Sequence, residues 1–144
     1  STTALGLARA QCLDPRSGGI ILEAQRDLYK IMAEVAATPE NAEKFRMIDA
    51  SRVTWLEEQT DAISEIVEMP KEFILPGDSL AGAALSLARA IVRRAERRVV
   101  ELRDEQEVSN LDLQRYLNRL SSLCFVLELL ENIAAGHQTT LAKE

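Results

Sequence analysis

The sequence predicts an all-α protein, an up-and-down bundle of four or five helices. No segment alternates apolar and polar residues with period two over the length of a strand. Apolar residues recur instead at helical spacing in several long segments. Short stretches rich in turn residues separate those segments, as in antiparallel bundles.

The elements follow in order. Ser1 to Leu13 is rich in Ala and Leu and reads as a helix. Asp14-Pro15-Arg16-Ser17-Gly18-Gly19 reads as a loop. Ile20 to Ala37 carries Ile21, Leu28, Ile31, Met32 and Val35 at helical spacing, and Thr38-Pro39 ends it. Asn41 to Ile48 is a short connection of one or two helical turns. Ser51 to Val67 follows, with the stripe Val53, Leu56, Ile63 and Ile66. Met69 to Ser79 holds two prolines and a glycine and must be loop. Ser79 then caps a long helix reaching about Arg103. Asp104 to Ser109 is a polar turn, and Asn110 to about Ala135 is the last long helix, with Gly136 behind it as a C-terminal cap. Gln138 to Glu144 reads as a frayed tail.

The length, 144 residues, predicts one helical domain over 1–144. With 47% hydrophobic and 28% charged residues, intrinsic disorder is excluded. Six glycines and four prolines exclude a collagen-like chain. The most apolar stretch, Leu120 to Ala135, is interrupted by Glu128, Glu131 and Asn132. It falls short of the ~20 apolar residues of a membrane span, so no membrane role is expected. Cys12 and Cys124 are too few for a disulfide framework or a zinc site. They are expected as small buried hydrophobes in a reducing, cytoplasmic compartment. The lone His137 sits near the tail and leaves no scheme built on a catalytic or metal-bound histidine. GxGxxG and GxxxxGK[ST] phosphate loops are absent.

A formal charge of −6 argues against nucleic acid as a partner. Within that acidic chain, Arg89 to Arg103 holds six arginines against two glutamates. On a helix, Ala84, Leu85, Ala88, Ile91, Val92, Ala95, Val99 and Leu102 face the core. Ser86, Arg89, Arg93 and Glu96 share another face, bordered by Arg97. Guanidiniums one turn apart can clamp an extended anion such as a polyphosphate. Glu96 can hold Arg93, accept from a ribose hydroxyl, or approach a metal on the phosphates. The plainer reading is a solvated charged face with pairs such as Arg97–Glu101. On the last helix, Gln114, Asn118, Ser121 or Ser122, and Phe125 lie along one side, and an inward Asn118 needs partners. Phe73-Ile74-Leu75-Pro76-Gly77 brings hydrophobes to the start of the arginine helix. Phe73 either packs the bundle end or walls a planar ligand. Trp55 is expected at a helix surface or interface.

Phe73-Ile74-Leu75-Pro76-Gly77, Ala83-Ala84-Leu85-Ser86-Leu87-Ala88-Arg89, Val92-Arg93-Arg94-Ala95-Glu96-Arg97-Arg98-Val99-Val100 and Tyr116-Leu117-Asn118-Arg119-Leu120-Ser121 resemble, in order and spacing, the PduO-type ATP:cob(I)alamin adenosyltransferases. The resemblance reaches more weakly to Ala4-Leu5-Gly6-Leu7-Ala8. It implies a ferritin-like five-helix bundle, a homotrimer with active sites between subunits, and transfer of the 5′-deoxyadenosyl group of ATP to cob(I)alamin with release of triphosphate. By that resemblance Arg93, Arg94, Glu96, Arg97 and Asn118 contact ATP and its Mg²⁺, with Glu96 nearest the metal. Arg89 organises the site and pairs with an Asp from the N-terminal region. Phe73 presses on the lower face of the corrin and keeps dimethylbenzimidazole off cobalt. A reductase and an adenosylcobalamin-dependent enzyme are the implied partners. The cobalt is itself the nucleophile, which suits a chain without a candidate base.

The chain departs from the family pattern at three positions. Asp78 stands where a second Gly is usual, Ser86 where His is frequent, and Ser122 where Asp is frequent. The family's Thr- and Gly-rich ATP loop, with the acidic partner of Arg89, is expected before Ser1. These departures motivate an alternative, a noncatalytic corrinoid-binding or carrier protein of the same fold. A helical module binding an acidic partner through its arginine face is a third reading.

Overall fold

The computed structural model describes residues 1–143. Its helices are α1 (Thr2–Gln11), α2 (Pro15–Ala36), α3 (Ala50–Ile66), α4 (Leu80–Asp104) and α5 (Leu111–Ala134), with one 3-10 turn at Ala42–Phe45. No strand forms among the described residues, and the only ladder there is an isolated antiparallel bridge between Ile74 and Leu141. The all-helical expectation therefore holds, and four of the five helix starts fall within two residues of the predicted positions.

The exception is α2, which starts at Pro15 rather than Ile20. Asp14 caps it, its carboxylate accepting from the Arg16 N–H at 2.9 Å, and Pro15 occupies the first turn. Proline there loses no helical hydrogen bond and already has helical φ. The Asp-Pro pair read as a loop is thus a helix start.

α5 lies at the centre, apolar round most of its circumference and buried from Leu113 to Asn132 except at a few positions. α4 and α3 pack against it, and α1 bridges α4 and α2. Polar pins join these layers. Asp27 of α2, buried, accepts from the Tyr116 hydroxyl at 2.7 Å and from Arg52 Nε at 3.0 Å. Arg52 also lies over the ring of Trp55, 4.6 Å from its centroid, so that tryptophan braces an inter-helix pin. Glu131 accepts from the Leu13 and Asp14 amides and from Ser17 Oγ, tying the α1–α2 connection to α5.

The entry to α4 is built tightly. Ser79 caps the helix, as expected, accepting from the Gly82 N–H at 2.9 Å and donating to Asn132 Oδ1 at 2.7 Å. A Cβ at position 82 would collide with the Asn132 amide oxygen and the Ser79 hydroxyl, so glycine here lets both polar groups keep their hydrogen bonds.

The C-terminal segment does not fray. Leu75 N–H donates to Thr140 O at 2.8 Å and Ala142 N–H to Phe73 O at 2.7 Å. The Asp78 carboxylate accepts from Thr140 N–H at 2.8 Å and from Thr140 Oγ at 2.6 Å. Gln138 to Lys143 is thus a strap across the loop before α4; Glu144, the last residue of the predicted tail, lies outside the described residues.

Candidate functional site

α4 divides as its sequence pattern demands. Ala84, Leu85, Ala88, Val92 and Val99 are buried, with Ile91, Ala95 and Leu102 partly so. Ser86, Arg89, Ala90, Arg93 and Arg97 line one concavity of about 310 Å³. Arg94 turns the other way, into a groove it shares with Arg97, Arg98, Glu101 and Ser1. The predicted arginines therefore serve two adjoining hollows rather than one face, with Arg97 between them.

Arg93, Arg94 and Arg97 are exposed and have no ion pair or side-chain hydrogen bond among the described residues. The expected Arg97–Glu101 pair does not form. Arg98 takes Glu101 instead, at 2.8 Å and three residues away, because its side chain reaches the carboxylate one turn on while Arg97 points toward the hollow. Nor does Glu96 hold Arg93. Its carboxylate accepts from Asn118 Nδ2 at 3.3 Å, while Asn118 Oδ1 accepts from Arg119 at 2.8 Å. Asn118 and Glu96 are thus brought together across the α4–α5 contact, and three guanidiniums are left free for an anion.

Phe73 does not pack the bundle end. It is 87% exposed, and only its backbone is held, by Ala142. Within the same loop Gly77 has φ of +125°, a left-handed conformation open to glycine.

Arg89 differs from the other arginines. Its guanidinium lies 5.3 Å from the Phe125 centroid and its Nε is buried without a partner. Near it lies Glu128, 2% exposed, whose Oε2 is also buried and unpartnered. Burial pushes the Glu128 carboxyl up to about 7, opposed by the positive charge of Arg89 and reinforced by Asp78. In the sequence Glu128 stands out only as an interruption of the apolar stretch Leu120 to Ala135. The signal was present: a glutamate one turn beyond Cys124, on a helix otherwise apolar there, must face either solvent or a cation. Cys124 is buried and Cys12 partly so, and burial pushes both thiols up to about 12, which keeps them protonated and inert.

This carboxyl has a measurable signature. Between about pH 4.5 and 7 the folded chain holds a proton on Glu128 that the unfolded chain has released. Stability must therefore fall as pH rises through that window, and the loss is complete above it. Glu128→Gln is expected to abolish this fall and to gain roughly 2–3 kcal/mol over wild type on going from pH 5 to pH 8. Urea denaturation of both proteins at the two pH values checks it. An identical pH dependence would show Glu128 ionised and satisfied by Arg89.

Fold and site together define a helical bundle that presents a helix of unpaired arginines beside a loop exposing Phe73. The chain belongs to the cobalamin adenosyltransferase family, whose model matches residues 1–131. It is 36% identical over 142 residues to the corrinoid adenosyltransferase PduO of Salmonella typhimurium, covering 98% of this chain and 42% of that protein. It is 37% identical over 116 residues to the corrinoid adenosyltransferase of Bacillus subtilis, covering 81% and 58%. The chain thus spans about half the length of these relatives. Among solved structures it superposes on a phenylalanine-to-alanine variant of a PduO-type ATP:corrinoid adenosyltransferase from Lactobacillus reuteri, complexed with cobalamin and ATP. The TM-score is 0.89 at 28% identity, covering 99% of this chain and 80% of that one. An arginine-to-lysine variant of the enzyme from the same organism, complexed with ATP, matches with the same TM-score and identity over 99% and 81%.

Proposed function

We propose that this protein transfers the 5′-deoxyadenosyl group of ATP to cob(I)alamin, forming adenosylcobalamin and triphosphate, with residues 1–144 as one adenosyltransferase domain. The observation that carries the reading is the set of unpaired arginines on α4, in a chain of this family whose net charge is −6. Cobalt(I) supplies the electron pair that forms the Co–C5′ bond, and the C5′–O bond breaks with its electrons leaving on triphosphate. The protein must align the two reactants, neutralise the leaving group and keep water out. Arg93 and Arg97 neutralise the phosphates and Arg94 extends the charge along the chain. Asn118 and Glu96, hydrogen-bonded to each other, orient the nucleotide. Arg89 organises the space between nucleotide and corrin, and Phe73 covers the lower corrin face.

The described residues hold no cluster of three or more His, Cys, Asp or Glu that fits a metal ion. In this reading Mg²⁺ arrives with the nucleotide substrate, and Glu96 is the carboxylate nearest the arginines in sequence. The implied assembly is a homotrimer with the site between subunits. The implied compartment is the cytoplasm, and the implied partners are a reductase that supplies cob(I)alamin and an enzyme that uses the product. Among the described residues no helix is long and apolar enough to cross a membrane.

Three measurements test this reading. The protein incubated with MgATP and chemically reduced cob(I)alamin should yield adenosylcobalamin and triphosphate in equal amounts; corrinoid binding without product would establish a carrier instead. Sedimentation should give a trimer, and a stable monomer at micromolar concentration would sink the shared site. Asn118→Ala should raise the requirement for ATP while leaving corrinoid binding near normal. The reverse pattern would move Asn118 to the corrin side.

A further inference from the structure

Phe73 has no packing of its own to fix it, yet the proposed role demands a fixed ring. What holds its segment is the C-terminal strap. Two backbone bonds, Leu75 N–H to Thr140 O and Ala142 N–H to Phe73 O, cross from strap to loop. A two-bond bridge is weak in water by itself. It is reinforced at one side chain. Asp78, the residue directly after the Pro76-Gly77 turn, takes both the amide and the hydroxyl of Thr140 on its carboxylate. Those bonds hold its carboxyl below the usual range. Ser79 and Asn132 anchor the same corner from below, and Asn132 Nδ2 donates to Thr139 Oγ at 3.1 Å.

We propose that Asp78 is a positioning residue: by clamping Thr140 it closes the strap 139–142 over the 73–75 segment and sets where Phe73 stands against the corrin. The proposal rests on the adenosyltransferase reading for its consequence but not for its geometry, so the two can fail separately. In the full-length protein, Asp78→Ala should leave the melting transition almost unchanged, because Asp78 lies at the surface and Ser79 still caps α4. Amide hydrogen exchange at Leu75 and Ala142, neither of which touches Asp78, should accelerate about tenfold as two charge-assisted bonds are lost. KM for the corrinoid should rise several-fold while KM for ATP stays within about twofold, since no phosphate contact changes. Asp78→Asn, which keeps an acceptor for Thr140, should restore most of both. Unaltered exchange at Leu75 and Ala142 overturns the clamp whatever the activity. Faster exchange with an unaltered corrinoid KM overturns the positioning role. A wild-type protein that transfers no adenosyl group sinks the functional reading, and exchange alone then decides the clamp.

Discussion

Arg93→Ala is expected to cut kcat/KM for ATP about 30- to 150-fold, the cost of one charge-assisted phosphate contact of about 2–3 kcal/mol. The structure sharpens this in two ways. Arg93 is exposed and unpaired, so truncation leaves no buried charge behind and stability should move by less than about 0.5 kcal/mol. Its neighbour Arg97 lines the same hollow and also has no protein partner, so the residual affinity of the variant reports what Arg97 supplies. Arg93→Lys keeps the charge and loses the planar fork, and should fall between wild type and Ala. Isothermal titration with ATP and steady-state rates, beside a melting curve, check all three. Wild-type ATP use in a folded Arg93→Ala protein would return the arginine run to the role of a solvated surface.

How far the fold was legible depended on whether the physics was local. α4 and α5 could be read because their apolar periodicity is long and their caps, Ser79 and Asn110, are side chains that accept from their own helix, at Gly82 and Asp112. The start of α2 was misread because Asp-Pro serves turns and helix N-termini alike, and only the residues after it decide. The strap was invisible for a different reason. Its bonds join Thr140 to Asp78 and Leu75 across more than sixty residues, and nothing near Thr140 in sequence signals a partner there.

The site shows the same division. Spacing alone places Arg89, Arg93 and Arg97 along one hollow of α4. Spacing does not say which carboxylate each arginine meets. Glu96 goes to Asn118 on α5 rather than to Arg93 on its own helix, since α5 runs alongside and offers an amide in the interface. Glu101 goes to Arg98. Glu96 is taken by Asn118 and leaves Arg93 and Arg97 free, whereas Glu101 is taken by Arg98, itself one of the run, so the number of free arginines depends on where each acid finds its partner. Glu128 beneath Arg89 is the buried counterpart: a carboxyl whose charge is suppressed by burial, beside a guanidinium with an open donor.

Phe73→Ala is expected to abolish turnover that depends on enzymatic reduction of the corrinoid while sparing the fold. Two roles of this ring make opposite predictions, and its exposure separates them. A buried phenylalanine cut to alanine costs about 3–5 kcal/mol and damages every activity together. Phe73 is 87% exposed, so almost none of that packing exists to be lost and the melting temperature should hold. An apolar ring held out in water by its backbone alone gains burial only when a ligand covers it, at about 25 cal/mol per Å² removed from solvent. If that ligand is the lower corrin face, the ring occupies the place of the nitrogen ligand on cobalt. Without it the ligand stays on, Co(II) remains five-coordinate, and its reduction becomes harder. Turnover from pre-formed cob(I)alamin should fall much less, because that substrate is already reduced, and ATP affinity should be unchanged. Electron paramagnetic resonance of Co(II)-corrinoid bound to the variant in the presence of ATP is the deciding measurement. A four-coordinate signal as strong as in wild type would show that another group displaces the ligand. A collapse of the melting temperature would show instead that the ring packs against the protein in solution.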